Sequence, residues 1–412
     1  MRALLVVLAA ARVASAEPIA IVGAKVCVKP GQVLDSASVV IDKGKIVGVN
    51  VATPAGARVI DGKGKFVTAG FIDGVSGVGL VGIDLEPSVV DGRFGPIDPV
   101  HEDPVHASYE ARDGFDPRAV AVPVARGGGI TAVVAAPLGG LVSGRSAAYA
   151  LDGSATPLRA PTAMHVELGA SGSGATGGSR GLGVQLLREL LDDARAFAKD
   201  RASYERNAKR RMIADRLDLD ALQPVLRRQI PLVIEAEAEA DIRAALRVAA
   251  DYKLDIAIAG ATEAWRLAPE LAKAKVPVIL DPTANLPANL AASDVNDEAA
   301  AVLAKAGVRV AISTLGSAGG ARTLRQLAGN AVARGLTWDQ AIAAMTTVPA
   351  ALYGLKGRGT LEKGSVADVV VWSGDPLETT TAAEVVIIGG VVQSLESHQT
   401  RLFERYRVLP PR

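Results

Sequence analysis

From about residue 129 to residue 314 the chain alternates short apolar runs with amphipathic helical stretches, and this alternation limits the fold more than any other feature. Runs rich in Val, Ile and Ala fall near 66–75, 129–135, 162–168, 230–236, 255–260, 276–281 and 308–314. Their length suits strands. Between them, Leu186, Leu187, Leu190, Leu191, Ala194 and Ala198 recur at helical spacing within Gly183–Lys199, one apolar face of a helix. Asp241–Ala250, Glu263–Ala274 and Asp297–Ala306 follow the same pattern. Strands that alternate with helices make parallel α/β units. A (β/α)8 TIM barrel is expected rather than an open doubly wound sheet, because no strand runs into a glycine fingerprint for a dinucleotide. The apolar runs leave such a ring one strand short, and Arg145 to Leu151 is assigned as the missing strand or a hairpin beside it.

The two ends have a different texture. Ile19–Val28, Ala37–Ile41 and Lys45–Asn50 are β-rich and punctuated by Pro30-Gly31 and Asp42-Lys43-Gly44, the latter a tight-turn signal. Asp368–Trp372 and Glu384–Ile388 are strands near the far end, with Gly389-Gly390 as a turn. Neither end alone has enough strands to bury two faces. Residues 17–66 and 359–396 are therefore expected to form one composite β-sandwich flanking a barrel over 67–358, with 397–412 as a tail.

Lys plus Arg total 45 against 44 acids, and this balance without a basic run argues against nucleic acid as a partner. No stretch after the N-terminus is apolar for long enough to span a membrane. The start itself reads as an export signal over residues 1–16. Arg2 precedes the apolar run Ala3–Ala11, and Ala14-Ser15-Ala16 supplies the small residues that signal peptidase needs before Glu17. A periplasmic or secreted protein is expected. Cys27 is the single cysteine, which excludes an intrachain disulfide and a cysteine zinc site; it reads as a buried strand residue.

Only four histidines are available for chemistry: His101, His106, His165 and His398. His165 and Glu167 lie two apart near the end of a strand, so they share a face, on the side where barrel active sites are built. Glu235, at the end of another strand, completes a candidate His/Glu acid–base group or one poor metal site. A core histidine is the blander reading. His101 and His106 flank Pro104 in an irregular segment read as a solvated loop, and His398 reads as surface. The glycine-rich Ser171–Gly183 lacks the Lys-Ser/Thr ending of a phosphate loop and reads as a mobile loop over the barrel mouth. Glu235–Ala240 reads as a strand end entering a solvated helix start. Ser143, Ser171, Ser313 and Ser317 carry no nucleophile motif.

Several segments in order bring a family into view. Gly64–Asp73 resembles the entry to the first barrel strand of amidohydrolases, and Gly128–Val133 the next strand. Leu336–Ala341 and Thr346–Ala350 resemble the helical segment before the family's return to its sandwich, and Gly359–Val371 resembles that return. The resemblance covers nearly the whole chain after the N-terminal segment and is closest to imidazolonepropionase-like members. It implies a barrel with a sandwich from both chain ends and hydrolysis of non-peptide C–N bonds, cyclic amides among them, with zinc or another divalent metal. The ligand positions it implies are occupied here by Val75, Gly77, Glu235 and Gly260, and the proton-accepting aspartate by Leu315. Val and Leu neither ligate nor accept a proton, and one carboxylate is not a site. The expectation is accordingly a family relative without a cofactor or metal, a pseudoenzyme. It would bind a small molecule in the barrel mouth, an envelope protein or a second copy. The alternative is an active hydrolase with an altered site around His165, Glu167 and Glu235.

Overall fold

Alternating side chains set the first strands. In the computed structural model, which describes residues 17–94, 103–206, 208, 210–284 and 293–408, Ile19, Ile21, Ala24, Val26 and Val28 lie on one buried face of β1 (Ile19–Lys29). The export segment 1–16, His101 and Glu102 lie outside the described residues. β2 (Gln32–Asp42) and β3 (Lys45–Val49) follow as antiparallel hairpins. Lys43 and Gly44 turn the second hairpin with φ of +49° and +75°, the paired positive φ that a two-residue loop of this type demands. β4 (Arg58–Asp61) and β5 (Phe66–Ala69) both run parallel to β1.

The run expected as one strand over 66–75 is two. β5 ends at Ala69, and β6 (Phe71–Ser76) belongs to another sheet. Gly70 makes the passage because it lies against Thr131: a Cβ there would stand 2.1 Å from the Thr131 hydroxyl. Next come β7 (Arg93–Phe94), β8 (Ile130–Ala135), β9 (Leu138–Gly139), β10 (Val142–Arg145) and β11 (Ala147–Ala150). β12 (Met164–Glu167), β13 (Leu232–Ala236), β14 (Ile256–Gly260), β15 (Val278–Leu280) and β16 (Val310–Ile312) then alternate with helices. Those helices include Arg180–Lys199, Glu239–Tyr252, Ala268–Ala274 and Ala299–Lys305. The chain ends in β17 (Val369–Trp372), β18 (Ala383–Ile388), β19 (Val391–Val392) and a helix, His398–Tyr406, where a tail was expected.

Both ends of the chain meet in one eight-stranded sheet, ordered β19-β18-β17-β5-β1-β2-β3, with β4 on β1. β17 pairs antiparallel with β5, aligning Val369 with Ala69. The sheet has its own apolar core.

The middle section is mixed α/β, but its ladders do not form one ring of eight parallel strands. β12 to β16 are parallel neighbours, as are β6 and β8. Residues 142–150 lie between these two groups and run antiparallel to both. β10 pairs with β12 and β11 with β8; Ser146 marks the change of partner and its hydroxyl meets Thr162 Oγ1 at 2.8 Å. An antiparallel segment therefore stands where a parallel strand was expected. Both groups of strands share an inner core to which Ile72, Val134, Val233, Ala257, Ile279 and Ala311 contribute. The glycine-rich stretch expected as a loop contains a short helix, Gly169–Ser173, and Gly183 already belongs to the helix that begins at Arg180.

Candidate active site

The inner face at β12 and β13 carries the polar groups. Ala163 and Val233 lie in the inner core, so the period of two turns His165, Glu167 and Glu235 to the same side. The parallel register aligns His165 with Val233 and Glu167 with Glu235, setting the two carboxyl groups side by side on strands about 4.8 Å apart. The structure thus brings together all three residues nominated from sequence. His165 is 4% and Glu167 8% exposed, and Glu235 is half-buried.

Burial controls their protonation. It pushes the Glu167 carboxyl up to about 7, with the neighbouring Glu235 charge adding to the rise and the Gly139 N–H opposing it. That N–H donates to Glu167 Oε1. Gly139 has φ of +93°, and a Cβ there would lie 2.0 Å from the Phe94 carbonyl oxygen, so only glycine brings this amide to the carboxyl. Two carboxyl groups so close share one proton near neutrality more readily than both ionise. His165 is driven down to about 3 by burial alone and is neutral across the physiological range.

A residue set aside for want of a motif joins them. β10 aligns Val142 with Val166 and Gly144 with His165, so Ser143 is the extra residue of a bulge beside His165. Ser143 is fully buried, and neither its hydroxyl nor His165 Nε2 finds a hydrogen-bonding partner. Gly144, with φ of +118°, was the available sequence sign of this irregularity.

A second buried carboxylate lies at the opposite seam, between β6 and the end of β16. Asp73 accepts from Ser313 Oγ at 2.6 Å, the Thr314 N–H at 3.1 Å and Thr314 Oγ1 at 2.5 Å. The Val75 N–H donates to Ser313 Oγ at 2.9 Å, and the Gly316 N–H to the Val75 carbonyl at 2.9 Å. Burial holds Asp73 above the usual carboxylate range although its donors pull it down. Ser313 is occupied by this joint and has no imidazole between itself and Asp73.

The positions that the resemblance gives to metal ligands have other tasks. Val75 is packed into the inner core. A Cβ on Gly77 would lie 2.3 Å from the Gly316 carbonyl oxygen, and one on Gly260 would lie 2.2 Å from Glu237 Oε1. Leu315 holds a left-handed turn with φ of +46°. No group of three or more His, Cys, Asp or Glu side chains among the described residues could hold a metal ion.

The remaining candidates lie elsewhere. His106 stacks on Phe94 with ring centres 4.1 Å apart, and its neighbour Val105 is buried, so this end of the segment is packed rather than a solvated loop. His398 is exposed. Cys27 is buried, and desolvation pushes its thiol up to about 12. Glu235–Ala240 does run from the end of β13 into the helix that starts at Glu239. No described helix is long and apolar enough to cross a membrane.

A family model described as an amidohydrolase family matches residues 304–393. An amidohydrolase from Thermotoga maritima MSB8 is similar over 91% of this chain and 99% of its own, with 26% identity and a TM-score of 0.82. Molinate hydrolase is similar in fold, with 18% identity, a TM-score of 0.57 and coverage of 92% of this chain and 95% of its own. So is an atrazine chlorohydrolase from Arthrobacter aurescens TC1 solved with zinc, with 16% identity, a TM-score of 0.51 and coverage of 94% and 98%. No curated protein matches the chain. The family match over residues 304–393 and the whole-length likeness to the Thermotoga protein support the amidohydrolase superfamily for this chain.

Proposed function

We propose that the chain is a metal-free member of the superfamily whose inner face binds a small amide-like molecule without hydrolysing it. In this reading the strands enclose a barrel, closed on one side by residues 142–150 and on the other by the Asp73 joint. The observation that carries the proposal is Gly77: the Gly316 carbonyl occupies the space a ligating side chain would need. With Val75 and Leu315 unable to donate, the residues do not fit a catalytic zinc, which wants about three protein ligands and an open position. An amide ligand suits what remains. Its N–H groups would donate to the Glu167–Glu235 pair and to His165 Nε2, while its carbonyl would accept from the Ser143 hydroxyl or the shared carboxyl proton. Buried polar groups with no protein partner cost about 1–3 kcal/mol each, so a ligand that satisfied Ser143 and His165 would gain from both. Export to the periplasm or beyond belongs to the same proposal and rests on residues 1–16. Recovery of a chain beginning at Glu17 from the cell envelope tests it, and an unprocessed cytoplasmic chain would refute it.

A second reading keeps catalysis. Glu167, held up to about 7, is in the range where a carboxyl works as a general acid, and the solved relatives include hydrolases. One experiment separates the two. Elemental analysis of the purified protein, followed by calorimetric titration with a panel of cyclic amides in the presence and absence of chelator, should find no stoichiometric metal. Binding should be independent of chelator, with no product. Metal-independent turnover abolished by Glu167→Gln would establish the second reading. About one zinc per chain, lost together with activity on chelation, would overturn both.

A further inference from the structure

Among the described residues, no other element buries the C-terminal helix. Every residue from His398 to Val408 is exposed. Leu402 is 40%, Phe403 65% and Tyr406 61% exposed, and at helical spacing these three form one stripe. Arg401, Arg405 and Arg407 flank it; Arg401 pairs with Glu396 at 3.5 Å and Arg407 with Glu404 at 2.8 Å, which leaves Arg405 in excess. A helix of this length is not stable in water without a packed face, yet this one is firmly rooted. Ser397 is buried and caps it, accepting from the Thr400 N–H at 3.2 Å. The chain just before it is fixed where Arg126 Nη1 donates to the Ser394 carbonyl at 3.0 Å.

A second surface has the opposite character. A groove of about 440 Å³ lies between residues 79–91 and 114–120. Ile83, Leu85, Val89 and Val120 are exposed in and beside it, Leu85 to 94%. Segment 82–91 carries Asp84, Glu86 and Asp91 and no base, although Asp84 pairs with Arg93 at 2.9 Å; the other bank adds Asp116 against Arg118. An apolar floor with an acidic rim complements an apolar stripe with basic flanks.

We propose that the helix His398–Tyr406 of one copy docks in this groove of a second copy. A lipid surface would account for the basic helix but leave the acidic groove unexplained, whereas a second copy supplies the complement to both. The contact joins two different surfaces, and it closes with the fewest copies when two of them exchange helices about a twofold axis. The root of the helix is held by Arg126, near the end of the helix Ala121–Gly127, and the groove adjoins the start of that helix.

Sedimentation velocity of the full chain should show a dimer that weakens as salt rises. Phe403→Asp on the helix and Asp116→Arg on the groove should each weaken self-association at least about tenfold, with melting temperature unchanged. Mixing the two variants restores one of the two contacts, so they should associate with each other more tightly than either does with itself, a result that misfolding cannot produce. The proposal is overturned by a wild-type monomer, whether its helix lies in its own groove or binds anionic phosphatidylglycerol vesicles. A dimer indifferent to Phe403→Asp would overturn it equally.

Discussion

Two buried carboxyl sites lie at different seams between strands, and they differ in how their carboxylates are met. Asp73 has two hydroxyls and a backbone N–H directed at it, from residues that also tie β16 to β6. Glu167 has the Gly139 N–H on one side and the Glu235 carboxylate on the other, with an unpartnered imidazole and hydroxyl close by. Donors on both Asp73 oxygens make the first site a joint, although the Tyr353 hydroxyl near it is also without a partner. At the second, Ser143 and His165 Nε2 hold hydrogen-bonding capacity that the fold does not consume, beside a carboxyl held up to about 7, and perturbed groups of this kind gather where proteins bind or react. The same residue type, buried at both seams, thus serves structure in one place and is left available in the other.

The comparison is broken most severely at Asp73. Asp73→Ala removes the acceptor of the Thr314 N–H and leaves the Ser313 and Thr314 hydroxyls only the Val75 and Ser317 carbonyls, and each buried bond lost or weakened costs about 1–3 kcal/mol. The variant should lose more than about 4 kcal/mol by denaturant unfolding, or fail to fold. A loss below about 1 kcal/mol would mean that the seam does not depend on this carboxylate.

Glu167→Gln sharpens the other side through pH. Folding raises the Glu167 pKa from 4.5 to about 7, so its favourable contribution is complete below the unfolded value and is lost as pH rises through the folded one. The swing is on the order of 3 kcal/mol. Thermal melts at pH 5 and pH 8 should differ less for Glu167→Gln than for the parent, with the variant gaining at the higher pH. Identical pH profiles would show that Glu167 is not held near neutrality.

A smaller effect is expected at Gly77. A methyl group there meets the Gly316 carbonyl, and overpacking of this kind costs about 1–3 kcal/mol. The melting temperature of Gly77→Ala should fall accordingly. A neutral result would show that residues 313–318 yield easily, which would reopen the space to a ligating side chain.

Much of this was legible beforehand. The period of two put His165 beside Glu167, and Asp42-Lys43-Gly44 announced its own hairpin because paired positive φ values have few sequence solutions. Gly389-Gly390 did the same, with φ of +57° and +82°. Other features were hidden because they depend on distant neighbours. Nothing near Gly70 tells that the strand changes sheets there; Thr131 decides it. Residues 142–150 are apolar and short whether parallel or antiparallel, and Ser143 gains interest only from the bulge that sets it opposite His165. Asp73 read as part of a segment because its donors lie about 240 residues further along.

Local pattern and turn chemistry therefore determined the strands, the alternation with helices and the face that each strand residue takes, since backbone periodicity and steric limits on φ act within a few residues. Tertiary structure alone decided that Glu167 stands beside Glu235, that Gly316 fills the space at Gly77 and that one carboxylate is saturated while another hovers near neutrality. Register, close packing and desolvation are set by whatever the fold brings alongside, and no single segment of the chain contains that information.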